Sequence, residues 1–143
     1  MRLALAAAAT AQALDEVPIG SVLVFEDRVV AVGYNRTCLD QDPTAHAEII
    51  ALREAAQVLN NYRLLGTTLY TTVEPCAMCA GALIWARVAR LVYGTLDIRA
   101  GAIDSVFQIC ANPALNHRVV VTAGLLAEDC RALMQAFFRN KRA

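Results

Sequence analysis

The amino-acid sequence predicts an α/β protein in which helices cover both faces of a β-sheet. Short runs of β-branched and apolar residues alternate along the chain with longer segments whose apolar residues recur at helical spacing. The chain has 143 residues, which suits one hydrophobic core. It contains no repeat, low-complexity tract or interdomain linker, so we expect a single domain over residues 1–143.

The first elements are a helix and a β-hairpin. Alanine favours helix, and four residues near the start follow helical spacing: Leu3, Ala7, Thr10 and Leu14. Strands are predicted over residues 19–25 and 29–34. The polar turn over residues 26–28 between them indicates a hairpin.

The middle of the chain predicts two helices separated by a strand. The first begins near Thr44, as N-cap, and its apolar stripe is formed by Ala45, Ile49, Leu52 and Ala56. A strand follows over residues 68–73. Pro75 then stands where the first position of a helix tolerates proline, and this helix runs to about Ala86.

The last third predicts two short strands and a terminal helix. The strands cover residues 91–93 and 119–122, and the segment 98–111 between them fits either a helix or an ordered loop. Helical register then continues to the C-terminus through Leu126, Cys130, Leu133, Met134, Phe137 and Phe138. Strands and helices thus alternate over the whole chain.

Composition points to a buried partner surface but not to a particular partner. A hydrophobic share of 57% predicts either a large core or a face covered by another subunit. Thirteen basic residues balance thirteen acidic ones, so any RNA site must be a local patch on a neutral protein. Nine residues are available for such a patch, although scattered surface arginines are common: Arg36, Arg63, Arg87, Arg90, Arg99, Arg118, Arg139, Lys141 and Arg142.

The cysteines and the N-terminus bear on the compartment. Five cysteines is an odd number, and the CxxC pair indicates a metal or redox motif in a reducing environment. Cys38, Cys110 and Cys130 are expected to pack as small hydrophobes. The apolar run over residues 3–9 resembles a secretory signal, but its helical spacing and the oxidation-sensitive thiols argue against export. We expect a soluble, cytoplasmic protein.

Two short motifs carry the chemistry. His46-Ala47-Glu48 lies at one predicted helix start, and Pro75-Cys76-Ala77-Met78-Cys79 lies at another. Residues three apart are neighbours on a helix, so both cysteines can face one zinc ion. One histidine and two thiolates leave a fourth position open, as in catalytic zinc sites.

Each motif alone has an ordinary explanation. A lone CxxC fits a redox pair, and a lone histidine is usually a packed or solvated residue. HxE followed by PCxxC is the recognised signature of zinc-dependent base deaminases. On a regular helix His46 and Glu48 would point to nearly opposite sides, so spacing does not place Glu48 at the metal.

With these motifs in place, the chain resembles the bacterial tRNA adenosine deaminases of the cytidine deaminase superfamily. The resemblance rests on VPIGSVLV, GYNR, DPTAHAEIIALR, NYRL, TLYTTVEPCAMCAGALIWARVARLVYG and NHRV. DPTAHAE and EPCAMC also occur in bacterial guanine deaminases, whereas NYRL, NHRV and the segment 93–105 favour the tRNA enzymes.

The resemblance implies a three-layer α/β/α fold with a five-stranded mixed sheet, a homodimer and hydrolysis of wobble adenosine to inosine in a tRNA anticodon loop. It implies one zinc ion per chain, held by His46, Cys76 and Cys79. Glu48 would move protons between the attacking water and the adenine. The resemblance also implies four substrate contacts, at Asn35, Asp97, Arg99 and Asn116.

Two other functions stay open at this point. A free-base deaminase, of the guanine deaminase type, would use the same zinc chemistry without RNA. A zinc-bearing subunit without catalysis would pair with an active partner. The retention of Glu48 argues against the second, because an inactive subunit does not need the proton shuttle.

Overall fold

Helices and strands alternate along the chain in the computed structural model, which describes all 143 residues. The elements are α1 (Arg2–Ala13), β1 (Gly20–Phe25), β2 (Arg28–Tyr34), α2 (Ala47–Val58), β3 (Thr67–Val73), α3 (Ala77–Trp85), β4 (Arg90–Thr95), β5 (Val120–Ala123) and α4 (Ala127–Arg142). A single 3-10 turn at Ile109–Ala111 lies between β4 and β5. None of the helices is both long and apolar enough to cross a membrane.

The five strands form one mixed sheet in the order β2-β1-β3-β4-β5. β1 pairs antiparallel with β2 and with β3, whereas β3, β4 and β5 run parallel. The hairpin turn holds two residues, Glu26 and Asp27, both at positive φ, which matches the twist of the flanking strands. β3 and β4 therefore end at the same edge of the sheet, where the next residues are Glu74 and Leu96.

Helices cover both faces of the sheet, which confirms the three-layer prediction. α1 and α4 pack on one face, and α2 and α3 pack on the other. Two glycines permit the close approach of helix to strand. A Cβ at Gly20 would lie 2.0 Å from the Ala4 carbonyl oxygen of α1, and one at Gly33 would lie 2.2 Å from the Ala47 carbonyl oxygen of α2.

The main core lies between the sheet and the α2–α3 layer. Cross-strand neighbours Leu23, Leu69 and Leu91 are fully buried there with Leu83 of α3. Truncating one such leucine to alanine typically costs about 2–5 kcal/mol. This packing fixes α2 and α3 against the sheet, and so fixes where their first residues lie.

Two local predictions differ from the structure, and the structure decides a third between its two alternatives. α2 begins at Ala47 with His46 as N-cap, because the Thr44 hydroxyl donates to Asp42 rather than capping a helix. α3 begins at Ala77, since the Pro75 carbonyl accepts a hydrogen bond from a distant loop. Residues 98–111 form an ordered loop ending in the 3-10 turn.

Candidate active site

Two helices begin at the candidate site. α2 follows His46 and α3 follows Cys76. Both of these N-cap residues have extended backbones, with φ −74° and ψ 153° at His46 and φ −73° and ψ 176° at Cys76. An N-cap residue lies outside the helical periodicity. His46 is therefore not forced to the side of α2 opposite Glu48, which resolves the difficulty that regular helical spacing raised.

The three proposed metal donors lie close together. His46, Cys76 and Cys79 each offer one ligand atom, and these three atoms all lie within 4.8 Å of one another. The His46 Nδ1 atom is 3.6 Å from the Sγ atoms of both Cys76 and Cys79. Zinc bonds of about 2.3 Å to sulfur and about 2.0 Å to nitrogen at a tetrahedral angle separate the two atoms by about 3.5 Å. The donor set and its spacing therefore fit one zinc ion.

The local electrostatics favour a thiolate at this site. A hydrogen bond from Cys79 lowers the pKa of the Cys76 thiol to about 4, against the effect of burial, and His46 lowers it further. The same hydrogen bond raises the pKa of Cys79, and burial and the nearby Glu48 add to the rise. The hydrogen bond to Cys76 raises the pKa of His46. Both cysteines are free thiols, so the pair is ready to exchange its protons for a cation.

Glu48 is a buried carboxylate beside these donors. It is only 3% exposed, and its Oε2 atom has no hydrogen-bond partner. Burial raises the pKa of Glu48 to about 7, although its own backbone N–H stabilises the charge. A buried polar atom without a partner is rare outside functional sites. The arrangement suits a group that accepts a proton from a substrate or a water.

Asn35 holds the start of α2 at Ala47, the residue between His46 and Glu48. It follows β2, is 5% exposed, and its Oδ1 accepts a 2.9 Å hydrogen bond from the Ala47 N–H. The first N–H groups of a helix have no partner within the helix, so Asn35 caps α2 from a neighbouring strand. Its oxygen is thereby committed to the protein, and only the Nδ2 amide is left to donate to a ligand.

Asp97 and Arg99 lie in the loop that follows β4. The Asp97 Oδ1 atom accepts hydrogen bonds from the Arg99 and Ala100 N–H groups, so this carboxylate shapes its own turn. Both residues line a cleft of about 610 Å³ that runs from the ends of β3 and β4 to α4. The cations along this cleft are Arg99, Arg131, Lys141 and Arg142.

Asn116 does not join the zinc donors. Its backbone and side-chain oxygens accept hydrogen bonds from Arg87, just past the C-terminal end of α3. Cys76 and Cys79 lie at the other end of that helix. The structure thus brings together the HxE and PCxxC residues with Asn35, and it places Asp97 and Arg99 on a neighbouring cleft.

Glu74, directly before the Pro75-Cys76 pair, has no role in the sequence-based prediction. It is 2% exposed, and its two oxygens accept five hydrogen bonds from the loop after β4. Although burial raises the pKa of Glu74, the donors on Ser105, Asp104 and Asp97 outweigh it and hold the pKa below its usual value. The only sequence signal was an acidic residue directly before the Pro-Cys motif, at the end of a buried strand.

Comparison with known proteins agrees with this geometry. Residues 1–95 match the family model for the cytidine and deoxycytidylate deaminase zinc-binding region. The chain belongs to this family of zinc-binding deaminases. It is also 49% identical over 143 residues to the tRNA-specific adenosine deaminase of Haemophilus influenzae, covering 99% of this chain and 83% of that protein.

Solved structures give the same grouping. A tRNA:A34 deaminase studied for A-to-I editing at the wobble position of transfer RNA has a TM-score of 0.90 and 44% identity, over 93% of this chain and 96% of its own. The guanine deaminase of Nitrosomonas europaea has a TM-score of 0.79 and 28% identity, over 94% of this chain and 80% of its own. The fold is common to both groups, and the identity is higher to the tRNA deaminase.

Proposed function

We propose that this protein hydrolyses adenosine to inosine at the wobble position of a tRNA anticodon loop. The observation that carries the proposal is the convergence of His46, Cys76 and Cys79 with the buried Glu48 at the starts of two helices. This convergence occurs in a chain whose relatives, at up to 49% identity, are tRNA-specific adenosine deaminases. Net charge contributes nothing to the assignment, because it is zero.

The reaction consumes one water and releases one ammonia. His46, Cys76 and Cys79 would hold a zinc ion, which would supply a hydroxide nucleophile at neutral pH by lowering the pKa of water to about 7. Glu48 accepts the proton of the attacking water at its partnerless oxygen and delivers it to N1 of the adenine. The new bond forms at C6. Glu48 then transfers a second proton, from the added hydroxyl to the amino group, which leaves as ammonia, and the C6 carbonyl of inosine remains.

The target base must leave the anticodon stack to reach this site. Proteins that act on RNA bases splay out single-stranded nucleotides, and this costs least in a loop. Asn35 would hold the flipped nucleotide through its Nδ2 amide, since its oxygen accepts from the Ala47 N–H. The cleft at the ends of β3 and β4 carries four cations for neighbouring phosphates, and it is lined by Asp97 as well. Two of these cations, Arg131 and Lys141, also pair with carboxylates of the protein. Asn116 stays a proposed RNA contact, away from the zinc donors.

The proposal extends to assembly and location. Residues 1–143 form one catalytic domain, because the single sheet takes its strands from residue 20 to residue 123. Two chains form a homodimer through an apolar surface on α2, α3 and the loop between α2 and β3. Its most exposed members are Val58, Tyr62, Leu65 and Trp85. The protein works in the cytoplasm, where tRNA is present and the thiol ligands stay reduced.

Sequencing of edited tRNA tests the assignment directly. Zinc-loaded protein is incubated with bulk bacterial tRNA, and reverse transcripts are read for A-to-G changes, which report inosine. Changes confined to the wobble position of one or a few tRNAs are expected, with none in a matched reaction of Glu48→Ala. If wobble adenosines stay unchanged at every enzyme concentration while zinc content is full, the proposed function is wrong.

A further inference from the structure

We propose that Glu74 is a positioning residue that locks the loop over residues 97–105 onto the zinc-ligand segment, and so sets the RNA-facing edge of the site. The proposal rests on the proposed function for its substrate readout only. Glu74 is the residue between β3 and the Pro75-Cys76 pair. Its backbone is two residues from Cys76, a proposed metal ligand, and its carboxylate accepts hydrogen bonds from the loop that carries Asp97 and Arg99.

The carboxylate organises this loop from both of its oxygens. Oε1 accepts hydrogen bonds from the N–H groups of three successive residues: Ile103 at 3.1 Å, Asp104 at 2.7 Å and Ser105 at 2.8 Å. Oε2 accepts from the Asp97 N–H at 3.0 Å and from the Ser105 hydroxyl. Hydrogen bonds to a carboxylate are about twice as strong as neutral ones. One side chain thus ties together both ends of a nine-residue loop.

The backbone on either side of Glu74 reinforces this connection. The Pro75 carbonyl accepts a 2.8 Å hydrogen bond from the Ala102 N–H, and Cys76 forms an isolated antiparallel bridge with Gly101. A Cβ at Gly101 would lie 2.2 Å from the Glu74 Oε2 atom, so only glycine leaves room for the carboxylate. The loop and the ligand segment therefore move as one unit.

The loop begins at the cleft, and its middle lies in the core, where Ala102 and Ile103 are buried. β4 ends at Thr95, so residues 97–105 add no strand to the sheet. Asp97 and Arg99 line the basic cleft beside the site. With Glu74 altered, the loop loses the acceptor for its backbone N–H groups, while Ala102 and Ile103 still anchor it in the core beside the leucines.

Glu74→Gln and Ser105→Ala test the role from the two sides of the contact. The glutamine keeps the size of the side chain but turns one acceptor oxygen into a donor, facing donors of the loop. Ser105→Ala removes a single hydroxyl at an exposed position, so it is expected to fold even if Glu74→Gln does not. Glu54→Gln, at an exposed site on α2, is the matched control.

Three measurements on the zinc-loaded proteins separate positioning from general structure. In Glu74→Gln, amide hydrogen exchange at Ile103, Asp104 and Ser105 should speed up by about tenfold or more, since exchange reports local opening. Zinc content should stay at one ion per chain. KM for an anticodon stem-loop should rise about fivefold or more, with the single-turnover rate at saturating RNA changing by less than about threefold. Ser105→Ala should change exchange and KM in the same direction and by less.

Two results would overturn the proposal. The first is unchanged exchange and unchanged KM in both variants. The second is loss of zinc and of kcat together at constant KM, which would make Glu74 a support for the metal segment alone. If wild-type protein deaminates no stem-loop, the proposed function fails, and the exchange comparison with Glu54→Gln still decides whether Glu74 holds the loop.

Discussion

His46 and Cys76 show, at the scale of single residues, how a side chain directly before a helix can face the same site as a side chain in the first turn of that helix. Each is an N-cap with an extended backbone, directly before a helix. The extended residue turns its side chain independently of the helix, while Glu48 and Cys79 are fixed by the first helical turn. The resemblance to a known family predicted the three zinc ligands. Residue spacing could not bring Glu48 to the metal, because the sequence analysis assigned both His46 and Glu48 to one regular helix.

Glu48→Ala should abolish turnover and leave the metal in place. Glu48 is not among the three clustered donors, and a proton-transfer group typically contributes about a hundredfold or more in rate. Zinc content by metal analysis should stay at one per chain, with the rate of inosine formation reduced at least to that extent. Glu54→Ala, six residues along α2 and exposed, is the control. Deamination by Glu48→Ala near the wild-type rate would refute the assignment.

Asn35 has two separable roles, which Asn35→Asp distinguishes from Asn35→Ala. Aspartate keeps an oxygen for the Ala47 N–H but removes the amide donor. Asn35→Ala should cost about 1 kcal/mol of stability by removing a helix cap, and should lower stem-loop turnover. Asn35→Asp should keep the thermal midpoint and zinc content and lose turnover to a similar degree. Full turnover by Asn35→Asp would mean that Asn35 acts only as a cap.

At the scale of elements, periodicity recovered the order and type of the helices and strands, but it left helix and ordered loop both open for residues 98–111. Local sequence patterns predict strands and helices, because β-branched runs favour strands and apolar residues at helical spacing favour helices. The loop takes its shape from Glu74, whose partner Ser105 is 31 residues away, and no local pattern reports such a contact. The starts of α2 and α3 differ from the predicted ones because contacts outside each helix set them. At α2 the Thr44 hydroxyl donates locally to Asp42 and the Ala47 N–H donates to Asn35, and at α3 the Ala102 N–H donates to Pro75.

Trp85, the last residue of α3, belongs to the helix that is expected at the dimer interface. It is 78% exposed, unusual for a large aromatic residue that no partner covers. Wild-type protein should scatter light as twice 15.4 kDa at micromolar concentration. Trp85→Asp should shift it to the monomer mass, because a charge would be buried without a partner. The control Leu3→Asp, at an exposed position of α1, should stay dimeric. If Trp85→Asp keeps the dimer mass, α3 does not form the interface.

At the scale of the whole molecule, thirteen positive charges cancel thirteen negative ones. RNA attraction must therefore come from where the charges lie. Four cations line one cleft, three of them on α4, and two of these, Arg131 and Lys141, are paired with carboxylates. The same cleft is lined by apolar residues that include Met134 and Phe138. Such a mixture suits an unstacked loop, whose bases need apolar contacts and whose phosphates need cations.

The salt dependence of binding should reflect this small patch. Single-stranded RNA gives a slope of about −0.7 per neutralised phosphate in a plot of log affinity against log salt concentration. Four cleft cations therefore set a slope no steeper than about −3. Arg142→Ala should flatten it by about 0.7, whereas Arg28→Ala in the hairpin should leave it unchanged. A slope independent of Arg142 would place the RNA elsewhere.

Only the substrate distinguishes a tRNA adenosine deaminase from a guanine deaminase here, because the two functions share the same zinc chemistry. Ammonia release is measured from an anticodon stem-loop with wobble adenosine, from guanine, from cytidine and from free adenosine. The stem-loop should be deaminated fastest, since the basic cleft contributes only when phosphates flank the target. A fully paired hairpin with the same adenosine should be a poor substrate, because unpairing and unstacking cost a few kcal/mol. Rapid turnover of guanine with no deamination of the stem-loop would overturn the tRNA assignment. The roles of His46, Cys76, Cys79 and Glu48 would stand, since water would then attack a purine carbon at the same site.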